Sequence, residues 1–251
     1  MKRRLFVAGS AASSAAAFES SQKKSNSLIE LRYYKLRNTT DGMPKRLNDF
    51  LSSQHLPALQ RAGITKVGFF GNLIGGGSPY VLQVAEYNNL AQLEATWEAL
   101  NADQKYKAGS MDYVRIETSL LRSFDGLSAL EMPKAETGRA PRVFELRTYE
   151  SNTFASLAKK VGMFNTGEIA IFRKTGLNPV FFGETLIGPN QPNLTYMLWY
   201  DNLAAREANW KKFVAHPDWD KLKSTPGLSD GEIVSNISNF MLSPTAYSPI
   251  K

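Results

Sequence analysis

A carboxylate, a guanidinium and a phenol recur in one short stretch that the chain contains twice. Ile29-Glu30-Leu31-Arg32-Tyr33-Tyr34 returns as Phe144-Glu145-Leu146-Arg147-Thr148-Tyr149, so each copy reads apolar-Glu-Leu-Arg-x-Tyr. In an extended strand alternate side chains share a face, which puts Glu145, Arg147 and Tyr149 on one side and Phe144 and Leu146 on the other, and likewise for Glu30, Arg32 and Tyr34. Residues two apart on a strand lie roughly 6.5–7 Å apart, so Glu and Arg can pair while Tyr donates a hydrogen bond. If the leucine face meets helices, the polar face points into the space the sheet encloses. There it could bind an acidic or carbonyl ligand, with a desolvated Glu as base. The competing reading is a mutually satisfied buried ion pair that sets packing. Recurrence favours it, because packing demands repeat with a fold whereas an active site need occur only once.

Other chemistry is sparse. His55 and His216 are the only imidazoles, and neither lies in an H-x-x-x-H or H-x-E arrangement, so no metal site is expected. His216 precedes Pro217, Asp218 and Trp219, a spacing that suits helix-end capping. His55, just before Pro57, is expected at a surface or edge, or at a cavity mouth where it could act as a base. Trp97, Trp199, Trp210 and Trp219, with Phe181 and Phe182, could stack a planar ligand such as a polyketide, quinone or haem, or could simply be core. With no cysteine, disulfides, thiolate nucleophiles and Cys-ligated metals are excluded. Gly75-Gly76-Gly77 lacks the Lys and Ser/Thr of a phosphate loop and reads as a hairpin turn. No Gly-x-Ser-x-Gly elbow occurs, and no cofactor is expected.

The elements that must position these residues also come in two sets. After a strand over 28–36, Leu47, Phe50, Leu51, Leu56 and Leu59 give helical spacing over 43–62, with Gly63 as stop and Pro57 as a kink. Apolar strands over 64–74 and 80–87 flank the glycine turn, a helix runs over about 90–108, and a strand over 111–123 closes the unit. The second set has strands over 142–150, 177–187, 195–200 and 231–242, with a helix over 154–175. From Tyr87 with Tyr200 the copies run at a constant offset of 113, through Asn89-Leu90-Ala91 with Asn202-Leu203-Ala204, Trp97 with Trp210, and Tyr106 with Trp219. The order β-α-β-β-α-β is that of a ferredoxin-like unit. Such a sheet carries helices on one face and must bury the other. The predicted fold is therefore α+β: two tandem ferredoxin-like units packed sheet to sheet as a pseudo-dimeric α+β barrel with a cavity between the sheets.

The chain of 251 residues, 43% hydrophobic and 21% charged, is long enough for two such cores. Residues 1–18, with Arg3-Arg4, a weakly apolar middle and Ala15-Ala16-Ala17, have the shape of a twin-arginine-like signal peptide, which predicts a periplasmic or secreted protein. A cytoplasmic protein with an Ala-rich tail is the alternative. The expected division is then a flexible lead over 19–27, a first domain over 28–124, a linker over 125–141, and a second domain with its tail over 142–251. The formal charge of +7 falls to +4 without Lys2, Arg3 and Arg4, and no basic run is interleaved with aromatics, so no nucleic-acid partner is expected. No apolar stretch long enough to span a membrane follows the leader.

The repeated Glu-Leu-Arg-x-Tyr strand, the Phe-Phe-Gly segments, Trp199-Tyr200-Asp201-Asn202-Leu203-Ala204-Ala205-Arg206-Glu207 and His216-Pro217-Asp218-Trp219 together resemble the NIPSNAP family. The resemblance implies the dimeric α+β barrel fold, shared with antibiotic-biosynthesis-type monooxygenases, and a family whose members mostly lack an assigned activity. Leu93 and Glu86 in the first copy replace Arg206 and Trp199, so a site built from Trp199, Arg206, His216 and Trp219 would be complete only in the second unit. Two function classes follow. One is a small-ligand binding or interaction module of NIPSNAP type. The other is a cofactor-independent monooxygenase or isomerase acting on an aromatic or carbonyl compound through Glu145, Arg147, Tyr149 and His55. A small-molecule ligand is the expected partner, and association into a homo-oligomer stays open.

Overall fold

The structure is a computed structural model that describes residues 26–77, 79–109, 112–134, 136 and 138–251. The expected leader, and the lead up to residue 25, lie outside the described residues. Strand β1 (Leu28–Lys35) is followed by α1 (Met43–Phe50), a wide π-helical turn (Leu51–His55) and α2 (Leu56–Arg61), continuous in right-handed helical backbone. The wide turn does not depend on Pro57. It recurs at Phe164–Glu168 between α5 (Phe154–Met163) and α6 (Ile169–Thr175), where no proline follows within the helix. It is therefore a property of the fold, of the kind that re-aims side chains in mid-helix.

The first half continues with β2 (Val67–Ile74), β3 (Tyr80–Tyr87), α3 (Leu90–Ala102), α4 (Gln104–Lys107) and β4 (Arg115–Ser123). The second half is β5 (Val143–Glu150), α5, α6, β6 (Asn178–Ile187), β7 (Asn193–Tyr200), α7 (Leu203–Val214), α8 (Pro217–Lys223), α9 (Asp230–Ile233) and β8 (Asn236–Pro244). Equivalent residues start equivalent helices. Asn89 caps α3 by accepting from the Gln92 amide, and Asn202 caps α7 by accepting from Ala205. Asp103 splits α3 from α4 and caps the second piece, and His216, 113 residues on, does the same for α8. The last strand is shorter at its start than the sequence suggests, because Ser229 and Glu232 form a reciprocal capping box that makes Asp230–Ile233 helical.

All strand pairs are antiparallel, and the eight strands close into a barrel in the order β1-β3-β2-β8-β5-β7-β6-β4. Each half supplies a four-stranded sheet in ferredoxin-like order, and two seams join them. β2 pairs with β8 through Phe70–Pro244, and β4 pairs with β6 through Leu121–Thr185, each seam carrying a bulge. Closure leaves no strand edge for another chain to pair with.

Side chains divide accordingly. One apolar cluster fills the barrel, with Ile29, Leu31, Phe70, Phe144, Leu146 and Met197 among its members and the Phe70 and Phe144 rings 4.9 Å apart across the two halves. The other two clusters lie outside it, one beneath the helices of each half, built around Phe50, Leu51 and Phe69 in the first and Phe164, Phe172 and Phe182 in the second.

The β4–β6 seam is tight at Gly183, where an added Cβ would meet Leu121 Cβ at 2.8 Å and the Arg122 carbonyl oxygen at 3.4 Å. Gly183→Ala should destabilise the fold by about 1–3 kcal/mol through this overpacking. Urea denaturation measures it, and an unchanged midpoint would mean the seam has slack.

Candidate functional site

The repeated polar strand face does not line the barrel. Leu31 and Leu146 point inward, and Glu30, Arg32, Glu145, Arg147 and Tyr149 point outward beneath the helices, the reverse of the orientation that would make them a pocket. The barrel interior, walled by strands on all sides, takes the purely apolar alternation. The helices can supply polar partners.

In the second half those partners close completely over the carboxylate. Glu145 is fully buried and accepts from Arg147 Nη1 (2.9 Å), Tyr200 Oη (2.9 Å), Trp210 Nε1 (2.9 Å), and Arg206 Nη2 (2.7 Å) and Nε (3.2 Å). Burial alone would raise its pKa. The Arg206 and Trp210 hydrogen bonds and the Arg147 charge outweigh it, so Glu145 stays ionised below the ordinary carboxylate range. Arg147 also donates to Tyr149 Oη at 3.1 Å, which accepts from Tyr196 Oη at 2.9 Å, and its guanidinium lies 4.5 Å from the Trp210 ring centroid. The sequence-level candidates Glu145, Arg147, Tyr149 and Arg206 are thus brought together, but as a sealed strut between sheet and α7.

The first half has a thinner version. Glu30 accepts from Arg32 at 2.5 Å and Tyr87 at 3.1 Å, and Arg32 stacks on Trp97 at 4.0 Å. Leu93 stands where α7 carries Arg206. Tyr34 belongs to a separate cluster with His55, which is fully buried rather than at a surface, an edge or a cavity mouth. Tyr34 Oη donates to Gln83 Oε1 at 3.0 Å, and His55 Nε2 lies 2.7 Å from the same oxygen. Burial lowers the His55 pKa to about 4, so the ring is neutral at pH 7. The residue 113 positions on is Glu168, at the end of the equivalent wide turn, and it was invisible as a counterpart because its chemistry differs. Glu168 is buried against Lys160 (3.1 Å), which also reaches Asp230 (3.0 Å), and burial, opposed by Lys160, raises its pKa to about 6.

The remaining second-unit candidates do not meet. His216 accepts from the Asp218 amide at 3.1 Å as the cap of α8, and Trp219 packs on Phe213 at 4.7 Å in the core. Trp199 lies under Arg142, 4.7 Å from its guanidinium, towards the barrel end that buried Ile250 closes. Phe181 and Phe182 are fully buried. Among the described residues no group of three His, Cys, Asp or Glu side chains could hold a metal ion.

At the opposite end the barrel opens. Inward side chains change from apolar to polar along strand after strand: Leu31, Tyr33 and Lys35 on β1, Leu121, Ser119 and Glu117 on β4, Leu146 and Thr148 on β5, and Met197, Thr195 and Asn193 on β7. They enclose a cavity of about 540 Å³ between the β2–β3 and β6–β7 hairpins, in the size range of small-molecule sites. Its threonines and Asn193 are paired with each other. The Thr148 and Thr195 hydroxyls lie 2.8 Å apart, and Thr185 Oγ1 donates to Asn193 Oδ1 at 2.6 Å. Burial raises both tyrosines, Tyr80 to about 12, so the phenols are protonated at neutral pH. None of the residues lining this mouth was a sequence-level candidate, since hydroxyl and amide side chains near strand ends look like ordinary solvent-facing positions.

The NIPSNAP family profile matches residues 29–122 and again 144–249. The chain belongs to the NIPSNAP family. Both matches begin on the strand carrying Glu-Leu-Arg-x-Tyr, so this is a tandem NIPSNAP protein. Among solved structures, a proposed monooxygenase of Fusobacterium nucleatum matches with a TM-score of 0.59 at 6% identity, covering 88% of this chain and 93% of that one. A second proposed monooxygenase, from Lactobacillus acidophilus, gives 0.53 at 10% identity, with 87% and 94% covered. A NIPSNAP family protein of Agrobacterium tumefaciens is 23% identical, with a TM-score of 0.39, over 44% of this chain and 99% of that one. At these identities the first two show a shared fold. Comparison with curated proteins finds no match.

Two consequences of the sealed clusters are measurable in the NIPSNAP chain. Glu145→Gln, which leaves the buried Arg147 and the half-buried Arg206 guanidinium groups without their carboxylate, should lower stability by about 3 kcal/mol or more, and Arg206→Leu, which recreates the first half, should cost less. Chemical denaturation of both variants tests the ranking. His55, with an ordinary pKa of 6.5 and a folded one of about 4, contributes stability that is fully present above pH 6.5 and is lost as pH falls towards 4. Glu168, raised from 4.5 to about 6, works in the opposite sense, losing its contribution as pH rises through 6. His55→Gln should therefore remove an acid destabilisation of up to about 3 kcal/mol. The readout is the pH dependence of the difference from wild type, and a flat difference from pH 4 to 7 would contradict it.

Proposed function

We propose that this protein binds a small amphipathic molecule in the open mouth of its barrel and works by holding or presenting it. The observation that carries the reading is the change from apolar to polar side chains along the barrel axis, ending in a cavity of about 540 Å³ at one end while Ile250 is buried at the other. An apolar floor at Leu31 and Phe240 beneath a ring of hydroxyls and amides suits a ligand with one apolar and one polar end. The oxygenase or isomerase alternative needs a group facing the ligand that can exchange a proton near the working pH, and burial moves the mouth phenols Tyr33 and Tyr80 away from that range. Glu145, Arg147, Tyr149 and His55 are buried in closed hydrogen-bonded clusters, and the monooxygenase descriptions belong to the neighbouring proteins, so the geometry supports binding over chemistry. Export of the folded chain through the leader carrying Arg3-Arg4 is part of the same proposal and rests on the sequence. Among the described residues no helix is long and apolar enough to cross a membrane.

N-phenyl-1-naphthylamine, an uncharged aromatic dye that fluoresces in apolar sites, tests the location. Wild type should show saturable enhancement. Ser238→Trp, which places an indole in the mouth, should weaken it at least about tenfold with Tm unchanged. Glu145→Gln should bind as wild type does. Equal binding by wild type and Ser238→Trp would move the site elsewhere.

A further inference from the structure

Among the described residues the mouth contains one ammonium group, and its surroundings decide what the polar end of a ligand must be. Lys35 Nζ sits 5.0 Å from the ring centroids of both Tyr33 and Tyr80, which are themselves packed edge to face at 5.2 Å. Two phenol faces therefore hold the cation over the cavity and take part of it out of water. Its one acidic contact is Glu117 Oε2 at 3.4 Å, a longer approach than a good charge-assisted hydrogen bond. That carboxylate is held more closely by Arg115, whose Nε donates to Oε1 at 2.6 Å. The Lys35 side chain is only 16% exposed against 46% for Glu117, so the better shielded charge of the pair is the positive one. The residue equivalent to Lys35 in the second half, Glu150 on β5, accepts from the Asn236 amide at 2.9 Å and is not among the residues that line the cavity.

An ammonium carries three donors, and here a single distant acceptor occupies one of them. The threonines and Asn193 around it are committed to one another, and Tyr80 donates to Asn72 Oδ1 at 3.2 Å. Lys35 is thus the strongest uncommitted donor in the mouth, in a setting where an incoming anion meets a charge poorly screened by solvent. Building on the barrel-mouth reading above, we infer that the ligand is an organic acid, its apolar body on Leu31 and Phe240 and its acidic group on Lys35. Arg115 shares the Glu117 carboxylate through its other oxygen and so weakens that carboxylate's hold on the ammonium. A cationic or purely neutral amphiphile would forgo this contact.

The test compares two dyes with one ring system. N-phenyl-1-naphthylamine is neutral, and 8-anilinonaphthalene-1-sulfonate adds an acid to the same skeleton. Fluorescence titration of the full chain should give at least about tenfold tighter binding of the sulfonate. Lys35→Met should erase that preference while keeping the neutral dye, Lys35→Arg should restore it, and Glu117→Gln should enlarge it. Circular dichroism and Tm confirm that each variant is folded. A wild type without preference, or a Lys35→Met variant that keeps it, overturns the acid inference and leaves the mouth as a site for neutral ligands. Failure of both dyes to bind wild type, or binding unaffected by Ser238→Trp, overturns the barrel-mouth reading itself and the acid inference with it.

Discussion

Each half of this chain, taken alone, would leave one apolar sheet face and two strand edges in water. Burying the inner faces of β1–β4 and β5–β8 against each other removes the first cost, and the β2–β8 and β4–β6 seams remove the second. Everything else follows from that closure. The interior is reached only from the barrel ends, so its middle is apolar, with Phe70 against Phe144. Polar side chains on the strands are confined to the helix side or to the barrel ends. The two sets accordingly have different characters, satisfied under the helices and accessible at the mouth.

Under the helices, the two halves solve one problem in two ways. A strand carboxylate beneath a helix needs donors; Arg32 and Tyr87 supply them in the first half, with Trp97 stacked above, and in the second half Arg206 and Trp210 from α7 add to the equivalent Arg147 and Tyr200. At the end of each wide turn sits a buried titratable group, His55 in one half and Glu168 in the other. His55 lies beside Tyr34 of its strand, and Glu168 beside Lys160, whose ammonium sits over the Tyr149 ring. Burial holds His55 neutral against the opposing hydrogen bond to Gln83, and Glu168 is held by Lys160. What the two halves share is burial of a polar group at a fixed place. Its charge state is free to differ, which points to packing rather than chemistry as the common demand.

The duplication, the order of elements and most helix starts were legible in the sequence because they depend on local signals. Asn89 and Asn202 cap through their own side chains, and the 113-residue offset from Tyr87 onwards, with the repeated Glu-Leu-Arg-x-Tyr strand, carries the β-α-β-β-α-β order from one half to the other. The direction of the Glu-Leu-Arg-x-Tyr face was not legible. Alternation shows that Glu145 and Leu146 face opposite ways, but which of them meets the helices depends on the partners that arrive, and Arg206 is about sixty residues away in the chain. His55 was misplaced for a similar reason. The wide turn that rotates it inward has no residue signature, and only comparison with Glu168 at the same offset would have marked the position as structurally special.

The residues with the best access to a ligand are those the repeat leaves unspecified. In apolar-Glu-Leu-Arg-x-Tyr, five positions are tied to the core or to the ion pair, and the sixth is Tyr33 in one copy and Thr148 in the other. Both line the mouth. A position whose side chain meets neither helix nor sealed interior is released from the packing demands that keep its neighbours alike, so the two halves can diverge there without loss of fold. The same holds two residues on, where Lys35 pairs in register with Tyr80 and Arg115, and Glu150 with Asn193 and Asn236. The tandem arrangement thus gives the barrel an asymmetric opening from two nearly equivalent units, with one ammonium among the residues that line it. A symmetric pair of identical units would instead have presented two such cations side by side, and their mutual repulsion would weaken the case for a single shared acid-binding position.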